Sequence, residues 1–103
     1  MYKERILNRE DGTRLKIKVE YSEFLTRRAN PWAFCVEICP KGKRKFRDTF
    51  KRPEGVMYAD DYELNIVLKT EYFKHITEDE LLSVMLELWD EQKPTFNDFH
   101  CHP

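Results

Sequence analysis

At 103 residues the chain has the length of one ordinary domain, and 41% hydrophobic with 14% aromatic residues suffice for one core. Charged residues reach 36% but are mixed among apolar ones, which excludes wholesale disorder, and no run approaches the ~20 apolar residues of a membrane span. The net charge of −1 conceals a split: residues 1–52 hold 15 Lys/Arg and 7 Asp/Glu (+8), residues 53–103 hold 3 and 12 (−9), a division that points to a charged partner.

The start, Met1-Tyr2-Lys3-Glu4-Arg5, is charged and leads into no apolar stretch, so it does not read as a secretory signal. Lys3 to Asn8 reads as a short strand, and Asp11-Gly12 as the turn after it. Thr13 to Tyr21 alternates: Leu15, Ile17, Val19 and Tyr21 face one way, Arg14, Lys16, Lys18 and Glu20 the other. That pattern predicts a half-buried antiparallel strand with a cationic outer face.

Leu25 to Pro31 is expected to be a loop, because Asn30-Pro31 breaks helix. Trp32 to Cys39 follows as a strand with apolar residues on both faces, which suits a central position. Pro40-Lys41-Gly42-Lys43 is a hairpin turn. Arg44 to Phe50 reads as the returning strand, with Phe46 and Phe50 expected to point into the core. Lys51 to Asp61 is a longer loop.

Residues 62–72 are ambiguous. Tyr62, Leu64, Ile66, Leu68, Thr70 and Tyr72 fit a strand period, whereas a helix starting at Asp60 or Asp61 would bury Leu64, Val67 and Leu68; the longer alternation favours a strand. Thr77-Glu78-Asp79-Glu80 is a capping box, flanked by Ile76 and Leu81 at hydrophobic-staple positions. Leu81, Leu82, Met85, Leu88 and Trp89 form a helical stripe, and Pro94 ends the helix. The expected fold is α+β: one domain over residues 1–94, an antiparallel sheet of four to five strands with one C-terminal amphipathic helix on one face, then a tail over 95–103. One helix covers only part of such a sheet, which leaves apolar surface for a partner or a second copy, so a homodimer is one expected arrangement.

Little in the chain speaks for catalysis. There is no Gly-x-Ser-x-Gly setting and no Gly-rich phosphate loop, the three glycines all lying in turns. Three cysteines, Cys35, Cys39 and Cys101, with no secretory signal read as free thiols of a cytoplasmic protein. Folding could bring a thiol and an imidazole together, for example Cys35 with His75 or His100, and a thiol or metal site built from Cys101, His100 and His102 is a further option. His100-Cys101-His102 offers zinc-ligand types, but adjacent residues on an extended tail alternate in direction, so no metal and no cofactor is expected.

Two charged constellations remain. Lys41, Lys43, Arg44, Lys45 and Arg47 crowd one hairpin, where they could follow a phosphate backbone, with Lys51 and Arg52 close behind. Against them stand the helix acids Glu87, Asp90 and Glu91 and the loop acids Asp60 and Asp61. Clustered carboxylates can oppose a cationic groove in place of phosphates, as small inhibitors carried by phages and other mobile elements do, a likeness of size and charge alone. The leading expectation is therefore a non-enzymatic module that engages a protein partner, itself nucleic-acid-handling, through the acids; the alternative is direct DNA or RNA binding through the basic hairpin.

Overall fold

The computed structural model describes residues 2–21 and 32–89, together with the backbone of residues 100–101. Three strands form an antiparallel meander: β1 (Tyr2–Asn8), β2 (Arg14–Tyr21) and β3 (Trp32–Cys39). The register sets Leu7 opposite Leu15, Ile17 opposite Val36 and Val19 opposite Phe34. Because side chains alternate, this places Leu15, Ile17, Val19, Trp32, Phe34 and Val36 on one buried face. The expected alternation of β2 and the two-sided burial of β3 are both observed, with Ala33 and Cys39 buried on the opposite face.

The returning strand is shorter than its sequence implies. Only β4 (Arg47–Asp48) pairs with β3, opposite Glu37 and Ile38, while residues 43–46 form no strand. The Asp48 carboxylate accepts from the Phe50 N–H at 2.9 Å and from the Tyr72 hydroxyl at 3.4 Å. The acid thus closes a turn at the sheet edge instead of entering the core.

Residues 62–72 are not a strand. They lie in α1 (Asp61–Tyr72), whose N-cap Asp60 accepts from the Glu63 N–H at 2.8 Å. Leu64, Leu68 and Tyr72, spaced i, i+4 and i+8, are buried, whereas Tyr62 and Ile66 are exposed. A strand would have sent all five to one face. The period-two pattern overlaps a helical stripe, and the cap at Asp60 decides between them.

The capping box forms as expected at the start of α2 (Glu78–Trp89): the Glu80 N–H donates to Thr77 Oγ1 at 3.1 Å and the Thr77 N–H to Glu80 Oε1 at 3.3 Å. Leu81, Val84 and Met85 are buried with Ile76 in the common core. The domain is thus a small α+β fold with two helices where one was expected. Two tail residues, β5 (His100–Cys101), run parallel beside Ala33 and Phe34 of β3.

The inner face of β1 clamps α2 through charge. Arg5 pairs with Glu87, Arg9 pairs with Glu80 and donates to the His75 carbonyl, and the Lys3 ammonium donates to the Leu88 carbonyl and lies 4.2 Å from the Trp89 ring centroid. These partners come from the two oppositely charged halves of the sequence, so part of the split is spent inside the fold.

Candidate nucleic-acid interface

The outer face of the sheet carries the cations of β2. Arg14, Lys16 and Lys18 stand opposite Asn8, Ile6 and Glu4 of β1 and Cys39, Glu37 and Cys35 of β3. Lys18 is held by Glu37 at 2.7 Å, and that hydrogen bond raises its pKa. No carboxylate among the described residues pairs with Arg14 or Lys16. Phe46 lies with these two instead: its ring centroid is 4.4 Å from the Lys16 ammonium and 5.1 Å from the Arg14 guanidinium. The expectation that Phe46 enters the core is thus corrected. With residues 43–46 outside any strand, alternation does not govern them. Phe50, which follows the paired residues, does pack against the core.

The β3–β4 loop extends this face. Its turn closes with Lys43 N–H donating to the Pro40 carbonyl at 3.0 Å, and Gly42 adopts φ 78°, which a side chain would strain. From beneath, the Cys39 thiol donates to the Lys43 carbonyl at 3.1 Å and accepts from Arg14 at 3.4 Å, tying the loop to β2. Lys43, Arg44, Lys45 and Arg47, with Pro40, line an open concavity of about 490 Å³. Four of the five hairpin cations singled out in the sequence therefore meet around one hollow. The fifth, Lys41, lies elsewhere: a side chain at Gly12 would meet its Cγ at 2.9 Å, and it sits near Asp11. Among the described residues no ion pair reaches any of the five.

The acids are not gathered in the same way. Glu87 is engaged by Arg5. Asp60 spends its carboxylate on the α1 cap, and Asp61 is exposed in the first helical turn. Asp90 and Glu91 lie outside the described residues, as does His102, and the side chains of His100 and Cys101 do too.

A larger hollow, about 870 Å³, opens between the β1–β2 turn and the α1–α2 connection, lined by Asn8, Arg9, Glu10, Asp11, Lys74 and His75 among others. Its charges are of mixed sign, and Arg9 and Lys74 are already paired with Glu80 and Glu71, so it presents no single-sign field. Burial pushes the Cys35 thiol up to about 11, which keeps it protonated and a poor nucleophile at neutral pH. No group of three metal-binding side chains assembles among the described residues. No helix among them is long and apolar enough to cross a membrane.

No family model matches the chain, and no curated protein or solved structure matches it significantly.

Proposed function

We propose that this protein is a non-enzymatic binding module whose working surface is the cationic loop and outer sheet face, and whose ligand is nucleic acid. The supporting observation is the hollow walled by Lys43, Arg44, Lys45 and Arg47 with no carboxylate on it. Cations converging on one concavity attract the phosphate backbone from solution and release its counterions. Beside it, Phe46, Arg14 and Lys16 supply an aromatic and two planar or flexible cations, with Tyr2 and Ile6 exposed further along the same face. Such a mixture favours single strands, whose bases can stack on side chains, over duplex read in a groove. The acidic-surface reading, with its nucleic-acid-handling protein partner, loses support because Glu87 and Asp60 already have structural partners.

Fluorescence-anisotropy titrations with labelled single- and double-stranded DNA and RNA test the proposal. Binding at low salt that weakens steeply with added salt is expected, with single strands preferred. The triple change Lys43→Glu, Arg44→Glu and Lys45→Glu is expected to reduce affinity at least tenfold, while Asp61→Lys does not weaken it. No binding at low salt and micromolar protein would overturn it.

A further inference from the structure

Among the described residues seven large hydrophobics are exposed, and four of them fall between residues 56 and 66: Val56 (44%), Met57 (93%), Tyr62 (74%) and Ile66 (48%). Tyr62 and Ile66 share the solvent side of α1, four residues apart, while Leu64 and Leu68 hold that helix to the core. Met57 stands on the loop leading into the helix, almost wholly in solvent. This loop is anchored, not loose: the Ala59 N–H donates to the Glu63 carboxylate and Asp60 caps the helix. An exposed apolar group on a fixed support has the make-up of a binding anchor, since little order is lost when it docks.

The charges nearest the anchor in sequence are mostly acidic: Glu54, Asp60, Asp61 and Glu63, with no Lys or Arg from residue 53 to residue 68, although the Arg52 guanidinium lies 5.3 Å from the centroid of the neighbouring Tyr58 ring. A fitting receptor is therefore an apolar hollow with a cationic rim. The protein carries one. The concavity of the β3–β4 loop is lined mostly by apolar atoms, as expected where Lys and Arg lay their aliphatic stems along a wall and keep their charges at the mouth. Its volume of about 490 Å³ is ample for a methionine side chain. Methionine, unbranched and polarizable, adapts to an irregular hollow of this kind.

We infer that a second copy of this chain docks here, Met57 of one molecule entering the Lys43–Arg47 hollow of the next with Asp61 and Glu54 facing the rim cations. The contact is heterologous, anchor to hollow, so an associated pair still offers one free anchor and one free hollow, and association continues unless the rotation closes a ring. The hollow is the one assigned to nucleic acid above, so an oligonucleotide competes with the second copy. The anchor is not part of that cationic face, so the two readings fail separately.

Sedimentation velocity on the full chain, from low micromolar to submillimolar, tests this with two variants. Met57→Glu spoils the anchor at an exposed position where the fold does not depend on it, and circular dichroism with a melting curve verifies folding. Lys43→Glu with Lys45→Glu spoils the hollow. Expected is a weight-average mass that climbs with concentration for the native chain, stays monomeric for each variant alone, and returns as a one-to-one heterodimer in their equimolar mixture. A native chain monomeric throughout overturns the inference while leaving nucleic-acid binding standing, as does association that Met57→Glu leaves unchanged. A discrete dimer abolished by Met57→Glu but not restored in the mixture also overturns it, because the patch then faces its own copy and not the hollow.

Discussion

Among the described acids of the second half, Glu80 carries the most local structure. Its carboxylate accepts from Arg9, from the Thr77 N–H and from the Thr77 hydroxyl, and Arg9 foremost holds its pKa below the ordinary 4.5. A depressed folded pKa means that the stabilisation is fully present above the unfolded value and is lost as pH falls from there through the folded one. Glu80→Gln is therefore expected to flatten the decline of stability below pH 4.5, measured by urea melts across the acid range. Because the pair is partly exposed, the effect is small beside that of the cap itself: Thr77→Ala is expected to cost about 1 kcal/mol at neutral pH. Cys35 shows the opposite perturbation. With its pKa raised from 9.0 to about 11, chiefly by burial, its folded thiolate population at pH 8 is about two orders of magnitude below that of the unfolded chain. Alkylation of Cys35 at pH 8, followed by mass spectrometry, is expected to be correspondingly slow until urea unfolds the protein.

At the scale of the element, α1 separates packing from pattern. Leu68 is buried and Ile66, two residues before it, is exposed. Leu68→Ala is expected to cost about 2–5 kcal/mol, as truncations of buried leucine do, and Ile66→Ala to fall within about 0.5 kcal/mol of neutral. Comparable losses at both positions would indicate a strand. The same element shows why part of the fold was hidden in the sequence. Tyr62, Leu64, Ile66, Leu68, Thr70 and Tyr72 fit a two-residue period, and the exposed Tyr62 and Ile66 are the false members of that series. They are apolar although they face solvent, so binary patterning misreads them, and Asp60 at the cap position was the better guide. Where alternation coincided with real sheet pairing, in β2 and β3, the inward and outward residues were legible one by one. The candidate site was legible as composition but not as geometry. Lys43, Arg44, Lys45 and Arg47 could be named in advance, but the hollow they share could not. Phe46 was sent the wrong way by extending a two-residue strand backwards through a loop.

At the scale of the molecule, the +8 and −9 halves are neither fully sorted nor fully mixed. Arg5 of β1 and Arg9, the residue after that strand, are neutralised by Glu87 and Glu80 of α2, and Lys18 by Glu37 within the sheet. Among the described residues, the cations of the β3–β4 loop with Arg14 and Lys16 form one group that no carboxylate pairs with, within a molecule whose net charge is only −1. Long-range attraction to a polyanion is then weak, and affinity comes from close contacts, each displacing a condensed counterion. On a single strand each neutralised phosphate contributes about −0.7 to the slope of log K against log salt. Removing two loop cations, Lys43→Ala with Lys45→Ala, is expected to flatten that slope by about 1.4. Replacing Arg5 by Ala, although it removes the same kind of charge, is expected to leave the slope unchanged, because Arg5 is committed to Glu87. Anisotropy titrations at four or five salt concentrations measure both slopes. Equal flattening by the two changes would mean that net charge, and not the arrangement of cations around the hollow, governs the interaction, and the loop would lose its standing as the binding surface.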